Sequence, residues 1–253
     1  QAESNPSILS QSLSGIAQTL SDPTEALIIH DEQGASLQRD ALFSAWPNKI
    51  STKQSEFSWE VSEKPTYWLV DSQVNFCAWA LPTVTMEHPD APVLAVLSAV
   101  LRNGFLHTAI REKGGAYGAG ATQDSAMGCF KFFSYRDPRV EGTFDDFRGS
   151  VDWVLKQSSG DDLVEQAILG LIGSMDRPGS PAGEARQFFH LDLNGRTQAM
   201  RQQFRQGLLA TTWKDVQRVA QQYIQGQEGS RAVVAPRGSE NIAKNLGLIA
   251  NDY

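Results

Sequence analysis

The stretch REKGGAYGAGA, residues 111–121, decides how the chain around it is arranged. Gly114 and Gly115 follow a long apolar segment and predict the C-terminus of a helix, because glycine readily adopts the left-handed conformation found there. YGAGATQD, residues 117–124, and GCFKFFSYRD, residues 128–137, then predict two strands joined as a hairpin. A helix that leads through a glycine turn into a hairpin is therefore the central element of the expected fold.

The segment before the glycines predicts one continuous core helix. We expect Asp90 to cap its N-terminus and Pro92 to lie in its first turn, where these residue types are favoured. Apolar residues then recur at helical spacing as far as the glycine turn. They are Val93, Leu94, Val96, Leu97, Val100, Leu101, Leu106 and Ile110.

The order of the remaining elements predicts the fold class. Strands dominate the chain before Pro138 and helices dominate after it, an order typical of α+β domains. We predict a mostly antiparallel sheet packed with helices on one face. The other predicted strands are TYWLVD (66–71), QVNFCAWALPT (73–83) and SRAVVAP (230–236). The other predicted helices are TFDDFRGSVDWVLKQ (143–157), DDLVEQAILGLIGSMD (161–176), one long segment from about 183 to 207, TWKDVQRVAQQYIQ (212–225) and ENIAKNLGLI (240–249).

The first 50 residues are interpreted as a separate unit. SILSQSLSGIAQTL (7–20) predicts a helix, EALIIHD (25–31) a strand and QRDALFSAW (38–46) a helix, the same order that is predicted near the C-terminus. The polar segment PNKISTKQSE (47–56) is typical of a linker. We therefore predict that residues 1–50 are the closing strand and helices of a preceding homologous domain plus linker, and that 51–253 form the C-terminal domain.

Composition narrows the function classes. Of the 253 residues 41% are hydrophobic, which is enough for a core, and the net charge of −7 disfavours nucleic acid and anionic membranes as partners. Cys77 and Cys129 lie in predicted strands without a Cys-x-x-Cys pair, so we expect buried free thiols. Because the first residue is Gln1 rather than Met, we expect a piece of a longer protein, and the compartment stays open: cytoplasmic or periplasmic in a bacterium, organellar in a eukaryote.

The sequence lacks the common catalytic motifs. None of the four histidines, His30, His88, His107 and His190, lies in His-Glu-x-x-His or in the inverted His-x-x-Glu-His, so we expect no metal site in this chain. No Gly-x-Ser-x-Gly nucleophile motif occurs either. The glycines of the turn follow a helix and precede a strand, the reverse of the order that places helix amides against a nucleotide phosphate.

Arg111 and Tyr117 remain as residues that could act on a substrate. Arginine is a permanent cation with several hydrogen-bond donors, which suits it to carbonyl and carboxylate oxygens. A tyrosine hydroxyl can donate to an oxygen that gains negative charge during a reaction. The residues alone leave a structural alternative open, in which Arg111 only complements the helix C-terminus and Tyr117 only fills a strand face.

LRNGFLHTAIREKGGAYGAGA (101–121), followed by GCFKFFSYRDPR (128–139), resembles the C-terminal part of presequence-protease-like enzymes in the pitrilysin/insulinase family of zinc peptidases. The motifs that carry the resemblance are Arg-x-x-Gly-Gly-Ala-Tyr-Gly and Ser-Tyr-Arg-Asp-Pro. The resemblance runs best from about Gln73 to Phe147 and continues more weakly to the C-terminus. Other members of the family have a longer Arg-to-Tyr interval and lack Gly-Gly-Ala, which favours the presequence-protease branch.

The resemblance implies a mitochondrial-processing-peptidase-like domain and a division of labour between two similar halves of one enzyme. The N-terminal half carries zinc and the general base, so zinc would be bound outside this chain, with none in this fragment. Arg111 would bind a backbone carbonyl of an unfolded peptide substrate, and Tyr117 would hydrogen-bond the scissile carbonyl. The partners implied are that peptide and the N-terminal zinc-bearing half. Alone, the fragment is expected to hydrolyse nothing.

Two alternatives remain at this point. The chain could belong to a non-catalytic subunit that pairs with a zinc-bearing partner, or it could be a structural or interaction domain of the same fold. A structural domain needs neither Arg111 nor Tyr117, which favours the peptidase. A homodimer of the fragment, formed through the surface that would face its missing half, is a further possible assembly.

Overall fold

The computed structural model describes residues 6–20 and 65–252. The chain divides into two compact units, one formed by residues 1–60 and 179–195 and the other by residues 61–178 and 196–253. In the first unit, helix α1 (Pro6–Leu20) confirms the helix predicted over 7–20. The strand and helix predicted between 25 and 46 and the linker at 47–56 lie outside the described residues, so the assignment of 1–50 and 51–253 to two domains stays a prediction.

The larger unit is built on a six-stranded sheet, and each strand predicted within the described residues is present in it. The strands are β1 (Thr66–Val70), β2 (Asn75–Pro82), β3 (Gly118–Asp124), β4 (Cys129–Asp137), β5 (Ser230–Pro236) and β6 (Ile249–Asp252).

Their order in the sheet is β3-β4-β2-β5-β1-β6. Strand β4 pairs antiparallel with β3 and β2, and β2 pairs antiparallel with β5, whereas β1 pairs parallel with β5 and β6. The α+β class and the mostly antiparallel sheet are thus confirmed. Strand β6 corrects the prediction that residues 240–249 are helical throughout. Gly247 has a φ of +67° and lies beyond the helix end, and the chain after it pairs with β1.

The helices cover one face of this sheet. Side chains that alternate along the strands, such as Tyr67, Leu81 and Phe132, are fully buried on that face. Each such side chain contributes roughly 1.5–3 kcal/mol of burial free energy. The helices of the larger unit are α2 (Asp90–Leu101, continued as a π-helix by Arg102–Lys113), α3 (Glu141–Lys156), α4 (Asp161–Met175), α6 (Gln198–Ala210), α7 (Trp213–Val219, continued as a π-helix by Ala220–Ile224) and α8 (Glu240–Asn245).

Helix α2 is the predicted core helix, and every apolar residue predicted for its buried face is buried. Its N-terminus differs from the prediction. Pro89 occupies the cap position, and Asp90, in the first turn, accepts hydrogen bonds from Arg218 and Tyr223. By length and composition the helix could cross a membrane, but all of Asp90–Leu101 is buried in the unit, as in the core helix of a globular domain.

The single long helix predicted from about 183 to 207 is wrong. Two helices are present instead, α5 (Pro181–Leu193) and α6 (Gln198–Ala210). The chain turns after α5 at Asn194 and Gly195, and Gly195 has a φ of +66° that no helix interior allows. Thr197 then caps α6 by accepting a hydrogen bond from the Met200 amide at 3.2 Å.

Both cysteines are free, as predicted. Cys77 is buried in β2, and Cys129 is half-buried in β4. Burial raises the pKa of the Cys77 thiol to about 12, so this residue is protonated at neutral pH. A protonated, buried thiol is a packing residue rather than a nucleophile.

Candidate functional site

The turn between α2 and β3, residues 111–118, is closed by backbone hydrogen bonds that the two glycines permit. The Gly115 amide donates to the Arg111 carbonyl at 3.1 Å, and the Ala116 amide donates to the Ile110 carbonyl at 3.1 Å. Gly115 reaches this geometry with a φ of +81°. The turn thus ends the helix with Arg111 in its last turn and begins β3 immediately after Tyr117.

Two glycines of this turn make room for neighbouring side chains. A Cβ atom on Gly114 would overlap the guanidinium of Arg139, which is ion-paired with Asp146 at 2.9 Å. A Cβ atom on Gly118 would overlap the ring of Tyr135. The glycines therefore do more than bend the chain, because they let β4 and the segment after it pack directly against the turn.

Arg111 is exposed, and its side chain is held by one neighbour on the same helix. Its Nη1 lies 2.9 Å from Nε2 of His107. Because arginine only donates hydrogen bonds, Nε2 of His107 is the acceptor and the imidazole proton lies on Nδ1, 3.4 Å from Oε1 of Glu112. The sequence alone assigns His107 no contact, although its spacing of four residues from Arg111 is the spacing at which helical side chains meet.

Tyr117 is also exposed, with 63% of its surface accessible. Its amide donates to the Arg136 carbonyl at 3.2 Å, and its ring lies 5.5 Å from the Tyr135 ring at an interplanar angle of 59°. The Arg136 guanidinium carbon lies 5.7 Å from the centre of the same ring. The ring is thus supported on one side and accessible to a ligand.

Arg111 and Tyr117 therefore lie at the two ends of one glycine turn. Both are accessible to solvent, and no hydrogen bond or ring contact between the two is found in the described part of the chain. Each has its own support, Arg111 from His107 and Tyr117 from β4. The site has the form of an accessible cation and an accessible phenol, each held by a neighbour, beside a tightly packed backbone turn.

The residues that the structure describes do not fit a zinc ion. Within residues 6–20 and 65–252, no group of three or more His, Cys, Asp and Glu side chains is placed to hold a metal. His88 accepts the Asp90 amide hydrogen bond at 3.1 Å, and His190 packs edge-on against Phe189. His30 lies outside the described residues.

Two cavities of the larger unit lie apart from the glycine turn. One, of about 300 Å³, is lined by the start of α2, the segment before it and α6. The other, of about 250 Å³, lies between α3 and the segment before β5. Neither is lined by a residue of the turn, so neither extends the site around Arg111 and Tyr117.

Comparison with known proteins assigns the family. The family model described as the PreP C-terminal domain matches residues 67–237. The mitochondrial presequence protease of Emericella nidulans is 34% identical over 216 residues, which cover 83% of this chain and 20% of that protein. This chain spans about one fifth of the length of the curated relatives it matches.

Solved structures share the fold at low sequence identity. The inactive domain of an M16 peptidase from Pseudomonas fluorescens superimposes with a TM-score of 0.61 at 17% identity, covering 82% of this chain and 51% of that one. Pitrilysin superimposes with a TM-score of 0.60 at 13% identity, covering 89% of this chain and 25% of its own. Because the family model covers more than half of the sequence, this chain belongs to the PreP C-terminal domain family, in the presequence-protease branch of the pitrilysin-type peptidases.

Proposed function

We propose that this chain is the substrate-binding C-terminal domain of a zinc endopeptidase that degrades short, unfolded peptides. The observation that carries the proposal is the pair of exposed, individually supported side chains at the glycine turn, Arg111 and Tyr117, in a member of this family. In a eukaryote the enzyme would be organellar, in line with the mitochondrial relatives.

Arg111 binds a backbone carbonyl of the peptide in this proposal. Its guanidinium carries several N–H donors, of which one is used by His107. Among residues 6–20 and 65–252 the guanidinium has no other hydrogen-bond partner, so its remaining donors can bind a carbonyl without regard to side-chain identity. Backbone recognition of this kind suits substrates of varied sequence. Because only an extended peptide offers its carbonyls in this way, folded proteins are poor substrates.

Tyr117 donates a hydrogen bond to the scissile carbonyl oxygen and to the negative charge that develops on it. A donor placed in advance at such an oxygen stabilises the transition state more than the ground state. The packing of its ring against Tyr135 fixes the hydroxyl without shielding it from the substrate. Tyr117 is therefore expected to affect the turnover number more than peptide affinity.

Zinc and the general base come from elsewhere in the proposed enzyme. The described residues offer no metal site, so the division of labour assigns the metal to an N-terminal half that faces the glycine turn. Zinc would supply a Lewis acid and an activated water there. This chain contributes the binding of the peptide and one hydrogen-bond donor.

The second candidate is a non-catalytic subunit of the same fold that pairs with a separate zinc-bearing chain. The M16 structure described as an inactive domain is compatible with it. The upstream gene sequence distinguishes the two candidates. An inverted zinc motif upstream in the same reading frame would place the metal site and this domain on one polypeptide, which favours the endopeptidase; its absence would favour the separate subunit. A purely structural domain is less well supported, since it gives no reason for Arg111 and Tyr117 to be exposed.

The test is peptide cleavage by the complete protein that the gene encodes. Tyr117→Phe should lower the turnover number by roughly ten-fold to a thousand-fold, as expected for the loss of one oxyanion donor. The matched control is Tyr223→Phe, which removes a hydroxyl that bonds Asp90 rather than one at the turn. Wild-type turnover by Tyr117→Phe would rule out the proposed role.

A further inference from the structure

Arg136 is the residue of the Ser-Tyr-Arg-Asp-Pro motif that the proposed function leaves unexplained. It lies at a β-bulge, because Phe76 of β2 pairs with Tyr135 and the next residue, Asn75, pairs with Asp137. Arg136 is thus an extra residue without a partner on β2. Its φ is +49°, and among the described residues it is the only one other than glycine with a positive φ.

The bulge changes which side chains reach the surface. Along β4, Phe132 and Ser134 face the core, so strict alternation would send Arg136 into the core as well. The extra residue shifts the alternation, so that Arg136 is exposed and Asp137 is fully buried. Bulges of this kind re-aim side chains and are over-represented beside active sites.

Asp137 shows what the bulge achieves for stability. Its carboxylate accepts the Thr143 hydroxyl at 2.7 Å and the Arg139 amide at 2.9 Å. These bonds fix the start of α3 and account for the buried side chain. They do not account for an arginine at the bulged position, where glycine or asparagine would adopt a positive φ with less strain.

The side chain and the backbone of Arg136 both contact Tyr117. The carbonyl accepts the Tyr117 amide at 3.2 Å, and the guanidinium carbon lies 5.7 Å from the centre of the Tyr117 ring. That distance is within the range of a cation–π interaction. No carboxylate of the described residues forms an ion pair with Arg136, so its positive charge is not neutralised there.

We propose that Arg136 is a positioning residue for Tyr117, which it holds by the ring and by the backbone amide. This inference rests on the proposed function. The cation beside the ring fixes the plane of the phenol and favours negative charge on the oxygen that the hydroxyl contacts. The left-handed backbone is the conformation that brings both groups of Arg136 to one tyrosine, and such strain is concentrated at functional sites.

The experiment compares three substitutions of Arg136 in the complete enzyme with peptide cleavage and thermal unfolding as readouts. Arg136→Asn and Arg136→Gly keep or relieve the backbone conformation and remove the cation. Both should lower kcat by roughly three-fold to thirty-fold, the range of one cation–π contact, with KM little changed and Tm equal or higher. Arg136→Lys should recover part of kcat, since lysine keeps the charge without the planar group.

A double variant separates this inference from the proposed function. If Arg136 acts through Tyr117, adding Arg136→Asn to Tyr117→Phe should lower kcat little further. The extra loss should be well below the loss that Arg136→Asn causes in the wild-type enzyme. Independent, multiplicative losses would overturn the positioning role, as would wild-type kcat in Arg136→Asn or a loss that parallels a lower Tm. If Tyr117→Phe lowers kcat and Arg136→Asn does not, only this inference is refuted. If Tyr117→Phe keeps the wild-type kcat, the proposed function is refuted.

Discussion

The two halves of helix α2 differ in almost every property that sequence analysis uses. All residues of the first half, Asp90–Leu101, are buried, whereas only Leu106 and Ile110 are buried in the second half, Arg102–Lys113. The first half is α-helical and hydrocarbon-rich, and the second is π-helical and polar. The first half anchors the fold, and the second presents His107 and Arg111 to solvent. One continuous helix thus has a structural end and an end suited to binding.

The spacing of the side chains explains how one helix can do both. Residues four apart lie on the same side of a helix, so one row of side chains can face the core while the next row faces solvent. Leu106 and Ile110, four residues apart, keep the second half on the core. His107 and Arg111, one position further along, lie on the adjoining exposed surface and contact each other.

The largest effect is expected where the exposed half meets the turn. Gly114→Ala should cost about 2 kcal/mol of unfolding free energy, because the new Cβ overlaps the Ile110 carbonyl and the Arg139 guanidinium. Denaturant unfolding of the chain measures the change. The matched control is Gly170→Ala in α4, where a Cβ meets nothing within 4 Å and should stabilise the helix by roughly 0.5–1 kcal/mol. Equal effects at both glycines would contradict the close packing described for the turn.

A smaller effect is expected at the buried end, and it depends on pH. Hydrogen bonds from Arg218 hold the pKa of Asp90 below its usual value, despite the opposing effect of burial, and Tyr223 adds to the lowering. Because the folded-state pKa is lowered, this stabilisation is present above the unfolded-state pKa of about 4 and is lost as pH falls through the folded-state value.

Asp90→Asn should therefore lower the unfolding free energy by about 1 kcal/mol at neutral pH, a modest value because Arg218 is half-exposed and water screens the pair. Below about pH 4 the difference from wild type should shrink. Urea unfolding across this range measures it, with the exposed Asp145→Asn as control. A difference independent of pH would show that the carboxylate charge contributes nothing.

The sequence predicted the parts of the fold that depend on burial. Apolar periodicity identified the core face of α2, and alternation identified the hairpin of β3 and β4, because both patterns follow directly from which side chains leave water. Strand β6 was missed because it is only four residues long and its pairing with β1 is a contact between distant parts of the chain. The break between α5 and α6 depends on one left-handed glycine in an otherwise helical pattern.

The sequence predicted the residue types of the candidate site, but it did not predict the contacts that hold Arg111 and Tyr117 in place. Arg111 and Tyr117 stand out because a turn does not require them, and the family resemblance gave each a role that stays a proposal. The bulge at Arg136 could not be read from alternation, since a single extra residue leaves the pattern of β4 unchanged up to that point. The role of Asp90 was misjudged because its partners, Arg218 and Tyr223, lie over a hundred residues away in sequence.

The smallest effect is expected at His107, and it bears directly on the exposed half of α2. His107→Ala removes the acceptor that orients Arg111, so in the complete enzyme KM for peptide should rise by roughly two-fold to five-fold, the equivalent of one modest hydrogen bond. His107→Gln offers a carbonyl oxygen of similar reach and should restore part of the affinity. Unfolding free energy should change little in either variant, because His107 is only half-buried. If His107→Ala leaves KM unchanged while Arg111→Lys raises it, Arg111 binds the peptide but needs no orientation from His107. The contact between His107 and Arg111 would then have no role in peptide binding.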